Sequence, residues 1–174
     1  RSPSRGLGDV YKRQHLYSAQ VAHSLRSDVA VSSQDVNDQG SGAYTGTLSA
    51  GMLKEGGLSW AMVGHSERRQ YQQESSALVG RKAKAALDAG LSCIVCVGES
   101  LAQRDAGSTL VVVGEQLAET AKHLSHDDWS RVVVAYEPVW AIGTGKVATP
   151  QQAGDVHAGI RTWLRDNVSA QVAE

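Results

Sequence analysis

Residues 75–99 read SSALVGRKAKAALDAGLSCIVCVGE. The stretch opens on a serine, a residue type that caps helices. Leu78, Val79, Ala83 and Ala86 then recur at the spacing of one helix face. Gly90 closes that run, as glycine commonly does at a helix C-terminus. LSCIVCV at 91–97 follows at once, apolar at nearly every position. A strand that alternates polar with apolar keeps one face in water, whereas an unbroken apolar run is buried on both. A capped helix, a glycine and a doubly buried strand, in that order, predict a parallel sheet covered by helices.

The flanks repeat the alternation. Upstream, residues 16–26 carry Leu16, Ala19, Val21, Ala22 and Leu25 as a helix-like stripe. VAVSS at 29–33 is a short β-branched run, GMLKEGG at 51–57 a short helix stopped by glycine, and WAMV at 60–63 a buried strand. Downstream, a helix is expected across about residues 109–123 and a strand at RVVVAY, 131–136. Thr149 caps a last helix, with Pro150 at its first position and Gln152 three residues beyond the cap. Ala153, Val156, Ile160 and Trp163 form its inner stripe. Four strands alternate with helices, three of them apolar on both faces, which is the α/β class. No low-complexity linker interrupts the chain, so one domain is expected.

Composition excludes several function classes. The chain has 174 residues, 41% of them hydrophobic, enough for one ordinary core. A formal net charge of −1 excludes nucleic-acid binding by bulk basicity. No apolar run approaches the ~18 residues of a membrane span. Two cysteines cannot build a disulfide framework, and a reducing cytoplasmic setting suits them. RSPSRGLGDVYKRQ at 1–14 has four basic residues and one acidic, hence +3 against −4 for the remainder. It carries neither a 2-residue nor a 3.6-residue period and opens on Arg1 rather than Met. The expectation is a non-native or disordered leader without secondary structure, ahead of an ordered unit at 15–174.

In parallel α/β folds, chemistry gathers where strands end and helices begin. Those junctions are Gln34–Asp35, Gly64–His65–Ser66–Glu67, Gly98–Glu99 and Glu137–Pro138. Strand spacing puts His65 and Glu137, two strands apart, roughly 10 Å from each other, with room for a small metabolite. A carboxylate facing an imidazole suits proton abstraction beside a carbonyl: one removes the carbon-bound proton, the other polarises the oxygen. Blander roles stand beside these. His65 could open a helix and bond backbone, and Glu137 could be an ion-pair partner.

AIGTGK at 141–146 is a glycine-rich segment whose backbone N–H groups could hold an anion such as phosphate. It is neither a P-loop nor GxGxxG, because Trp140 and Val147 stand where that loop needs Gly and Ser/Thr. Pro138 and Val139 before it, and Lys146 and Val147 after it, suggest a lid. Cys93 and Cys96 lie three apart inside an apolar strand, which reads as buried thiols rather than a metal site. Ser66 lacks a nucleophile elbow, and Arg68 and Arg69 read as a solvated or interface pair. No metal or cofactor is expected.

GHSERRQY at 64–71, CVGES at 96–100 and AYEPVWAIGTGK at 135–146 resemble the triosephosphate isomerase family, as do SGAYTG at 41–46 and ATPQQAGDVHAGIR at 148–161. The similarity covers about residues 15–174. It implies the third to sixth βα units of a (β/α)8 TIM barrel, an incomplete barrel of about four parallel strands. It implies Glu137 as the base moving a proton between two carbons of dihydroxyacetone phosphate and glyceraldehyde 3-phosphate, in glycolysis and gluconeogenesis, and His65 as the neutral electrophile. Glu67, Cys96 and Glu99 would support them. Pro138, Val139, Trp140, Ala141, Ile142, Gly143, Thr144, Gly145 and Lys146 would be the lid, with the Gly143 N–H on the phosphate and the Trp140 indole hinged on Glu99. The combination of a glutamate, a neutral imidazole and a closing loop is well known in this family, and the resemblance alone implies it for this chain.

The resemblance also implies a homodimer at full length, docked through a protruding loop at 35–48 with Thr45 near its tip. Nucleic acid and membrane are not among the implied partners. The family's Asn-x-Lys and its last two phosphate loops are not found in this chain, and a complete barrel takes ~250 residues. Ser33-Gln34-Asp35 stands where the family usually has Ala-Gln-Asn, and Thr47 where it usually has glutamate. A catalytically inactive half-barrel scaffold, or a sugar-phosphate enzyme of another specificity, are the alternative readings.

Overall fold

The structure, a computed structural model, describes residues 10–142 and 144–174, the first four of these by backbone only. The chain divides into two compact units.

The first unit comprises residues up to 63 together with 82–94. Strands β1 (Val10–Arg13), β2 (Ala30–Ser33) and β3 (Trp60–Val63) run parallel. Val10 pairs with Ala30, and Ser32 with Trp60. The start of β4 (Ser92–Val97) joins beside β3, where the Ser92 N–H donates to the Ser59 carbonyl at 2.9 Å. Helices α1 (His15–Ser24) and α2 (Ala50–Glu55) belong here, with most of α4 (Ser76–Asp88).

The Ser75 hydroxyl accepts from the Leu78 N–H at 3.2 Å, which caps α4 as its sequence predicts. Gly90, at φ +84, ends it, with the Leu91 N–H reaching back to the Ala86 carbonyl at 3.0 Å. Val79, Ala83, Ala86 and Leu87 form the buried face, and β3 and β4 are buried along nearly their whole length.

Three expectations need correction. Residues 1–14 were expected to hold no element, yet Val10–Arg13 is a strand. It is the outermost strand of the order, so it is recruited through backbone hydrogen bonds and leaves no side-chain period to read. Residues 1–9 lie outside the described residues. In α1 the predicted stripe is not the buried face: Leu16 is 83% exposed and Ser18 is the buried residue. The strand at RVVVAY (β5, Val132–Tyr136) is half-buried throughout rather than covered on both faces. Among the described residues it is last in the strand order, with a neighbour on one side only.

The second unit comprises residues 64–81 and 95–174. It holds α3 (Ser66–Tyr71), the end of β4, α5 (Leu101–Asp105), α6 (Thr109–Ala121), β5 and α7 (Pro150–Asn167). β5 continues from β4, the Glu137 N–H donating to the Val97 carbonyl at 2.8 Å. The Thr149 capping box on α7 is formed, and Val156, Ile160 and Leu164 line its buried side. α7 packs on α6 and on β5. Among the described residues no helix is long and apolar enough to cross a membrane.

Asp35, the residue that departs from the family's asparagine, is buried with Lys82 of α4. The Lys82 Nζ lies 2.9 Å from both carboxylate oxygens. A buried ion pair contributes little net stability, but removing one partner strands the other charge. Lys82→Met should therefore lower the unfolding free energy by about 3–5 kcal/mol, read as a shifted urea midpoint at unchanged slope. Replacing Asp35 by Leu in the same chain should recover most of that loss.

Candidate active site

His65 is the N-cap of α3, and its Nδ1 accepts the Glu67 N–H at 3.3 Å. With Nδ1 used as an acceptor, the proton of the neutral ring sits on Nε2. The Nε2 lies 2.9 Å from Glu137 Oε1. Glu137 also accepts from the Ser66 N–H at 3.0 Å and from the Ser66 hydroxyl at 3.2 Å. The carboxylate thus rests on three donors at the start of α3.

The expectation of roughly 10 Å between His65 and Glu137, with space for a metabolite, is overturned: the two side chains touch. Strand spacing measures backbones, whereas a glutamate and an imidazole each extend several ångströms and an unopposed carboxylate seeks donors. The helix-opening role named for His65 and the pairing role named for Glu137 both occur in the structure.

Gly98 governs how closely the strand ends approach. A Cβ there would stand 1.9 Å from the Glu137 carbonyl oxygen, so no other residue fits without moving the backbone that carries Glu137. The Gln116 side-chain amide holds this spot, accepting from the Gly98 N–H at 2.9 Å and donating to its carbonyl at 3.0 Å.

The remaining predicted residues fall into separate places. The Glu67 carboxylate lies 3.6 Å from His65 Nδ1 and is largely exposed. Cys96 is buried and meets Arg69 through its carbonyl, 3.3 Å from Nη2. Glu99 is wholly buried and does not join the His65–Glu137 pair. It accepts from Arg104 Nη1 at 3.0 Å and Thr109 Oγ1 at 3.1 Å, and from the Tyr136 hydroxyl, 3.0 Å from both its oxygens. The Trp140 indole, expected to bond Glu99, reaches the Tyr136 hydroxyl instead, at 3.5 Å. Glu99 is already served by three donors, and Tyr136 stands between.

The proposed lid begins as a single helical turn, Val139–Ala141, with Trp140 buried and Ile142 exposed. The Thr144 hydroxyl donates to the Trp140 carbonyl at 2.8 Å and accepts from the Lys146 N–H at 3.2 Å. Gly143 lies outside the described residues.

Three residues read as inert are structural partners. Ser66 holds Glu137. Arg69, expected to be solvated or at an interface, donates to the Gly64 carbonyl at 2.8 Å and to Ser76 Oγ at 3.0 Å. Arg68 pairs with buried Glu74 at 2.7 Å. Burial pulls the Arg69 guanidinium below its usual pKa, with the nearby Cys96, Glu74 and Glu137 opposing. Gln116 and Arg104 went unnoticed because neither belongs to a strand end.

Tyr136 titrates above the ordinary tyrosine range. Burial is the main cause, the Trp140 N–H on its oxygen opposes it, and the Glu99 carboxylate adds to the rise. An unfolded chain ionises tyrosine near pH ~10. The stability held by Tyr136 is therefore complete below about that pH and is lost as pH rises through the higher native value. Tyrosinate absorbance should show a late component. Tyr136→Phe should abolish it.

Against known proteins, the family model described as triosephosphate isomerase matches residues 10–174. A triosephosphate isomerase of Aspergillus oryzae is 50% identical over 160 residues, covering 92% of this chain and 64% of that protein. One of Emericella nidulans is 48% identical over 159 residues, 91% and 64% of the respective chains. A cytosolic triosephosphate isomerase of Oryza sativa subsp. japonica is 49% identical over 165 residues, 95% and 64%. The chain thus spans just under two thirds of the length of these relatives.

Proposed function

The chain belongs to the triosephosphate isomerase family, and on that premise we propose that Glu137 and His65 interconvert dihydroxyacetone phosphate and glyceraldehyde 3-phosphate. The observation that carries the reading is the 2.9 Å approach of His65 Nε2 to Glu137 Oε1, with Nδ1 turned to backbone. Glu137 takes a proton from the carbon beside the carbonyl. The Nε2–H hydrogen-bonds the carbonyl oxygen as its charge grows, giving an enediol(ate). Return of the proton to the former carbonyl carbon, while the hydroxyl proton passes from one oxygen to the other by way of Nε2, completes the isomerisation. Before that, substrate must displace Glu137 from His65, since both cannot hold Nε2 together. Ser66 keeps the base beside the site meanwhile.

The segment at 138–146 closes over the bound triose and excludes water, with the Gly143 N–H on the phosphate. Exclusion of water protects the reactive enediolate from side reactions. Glu67 and Cys96 belong to the surroundings of the pair, and the chemistry uses no cofactor. The setting is cytoplasmic, and at full length a homodimer forms through the loop at 35–48, whose residues 39–47 are exposed. Its base is cross-braced by the Asn37 N–H on the Leu48 carbonyl at 2.8 Å.

A second reading is favoured by length. The 174 residues contain the pair but not the family's Asn-x-Lys, so the chain alone is a half-barrel without turnover. Effective positioning is worth roughly 7 kcal/mol or more of a barrier, and phosphate contacts supply much of it.

A coupled assay with dihydroxyacetone phosphate addresses both readings. In a protein extended with the segments its relatives possess, Glu137→Gln and His65→Asn should each lower kcat by about 10²–10⁴. A Glu137→Gln rate within about tenfold of the parent overturns the assignment of the base. The unextended chain should show no turnover above the uncatalysed rate. A rate within about tenfold of the extended protein would refute the inactive half-barrel.

A further inference from the structure

Trp140 is buried, yet the hydrogen bond its indole N–H makes among the described residues is long, 3.5 Å to the Tyr136 hydroxyl. A bond at that limit holds an indole weakly. The face of the ring has a closer partner. The Arg104 guanidinium carbon lies 4.3 Å from a Trp140 ring centroid, well inside the range of cation–π attraction. Arg104 stands in the last turn of α5, and α5 packs against the Val139–Ala141 turn that carries Trp140.

The same guanidinium donates to wholly buried Glu99 at 3.0 Å. Glu99 therefore reaches one indole by two arms: through Arg104 to the ring face, and through the Tyr136 hydroxyl to the ring N–H. A tyrosine hydroxyl has one proton, and giving it to Glu99 leaves its lone pair for the indole. The carboxylate stays in place because a buried charge must keep its donors.

We propose that Arg104 is a positioning residue that holds Trp140, and with it the first turn of the 138–146 segment, by its guanidinium face. This rests on the reading of 138–146 as a lid. Arg104 leaves the reacting atoms untouched and acts through Trp140: closure that shifts the indole must slide it off the guanidinium. Lysine cannot replace arginine here. It can carry the charge for Glu99 but has no plane to lay on the ring.

The test uses the 174-residue chain labelled with 5-fluorotryptophan, without substrate, its four fluorine lines assigned by single Trp→Phe variants. In Arg104→Lys the Trp140 line should move toward the exposed position, and its solvent isotope shift should rise. The lines of Trp60, Trp129 and Trp163 should stay in place, a pattern that a general loosening of the fold cannot produce. An unmoved Trp140 line overturns the proposal.

Should Arg104→Lys fail to fold, tetrafluorotryptophan placed at position 140 alone leaves the Arg104–Glu99 pair intact and weakens the ring's attraction for the cation, while its more acidic N–H holds Tyr136 no less firmly. Amide exchange over residues 139–142 should then quicken about two- to fivefold. Unchanged exchange overturns the proposal. Neither measurement needs turnover, so an inactive chain would leave the anchor standing, and an unmoved indole would leave the isomerase reading standing.

Discussion

At residue 98 there is room for a hydrogen and nothing more. The Glu137 carbonyl oxygen occupies the space in which any side chain would begin, 1.9 Å from an ideal Cβ. The obstacle is backbone against backbone, so no change of rotamer can relieve it. The close approach lets the Glu137 N–H join the Val97 carbonyl, and it starts the turn that buries Trp140. The Glu137 side chain is delivered to Ser66 and His65 from that same fixed point. Gln116 reinforces the arrangement with both ends of its amide, acting on Gly98 as a neighbouring strand would.

Carboxylates recur just beyond the strands, and each meets the cost of leaving water differently. Asp35 is buried against Lys82, in a pair whose worth lies in not being broken. Glu99 is buried more deeply and spreads its charge over one guanidinium and two hydroxyls. Glu137 keeps 17% of its side chain exposed and leans on a serine and a histidine. That gradation suits their parts. The first two are fastened by charge and burial, while the third is held by contacts that a substrate oxygen could replace. In the proposed reaction Glu137 has to be free to move, and a partly solvated carboxylate is the least costly to release.

The α/β alternation was legible because two periods and a few capping residues carry it. Ser75, Gly90, Thr149 and Gln152 act as their positions imply, and LSCIVCV is buried as an unbroken apolar run should be. Reading failed where pairing, not patterning, makes the element. VYKR at 10–13 is a strand through its neighbour's backbone, and Leu16 faces water although its spacing suits a core. β5 shows that apolar composition states what a strand can bury, not how much cover it receives.

The candidate site divides along the same line. Residue type and place after a strand end are local properties, and they sufficed to single out His65, Glu99 and Glu137. Contact is a property of side-chain reach and competition among donors, and neither is written along the chain. His65 therefore touches Glu137 where strand spacing left a gap, and Ser66 holds the Glu137 carboxylate. Trp140 meets Tyr136 and Arg104, the two groups that themselves donate to Glu99. The chain's chemistry could be listed from its residues. Which groups satisfy one another depended on the fold, because hydrogen-bond donors and buried charges choose partners by distance in space.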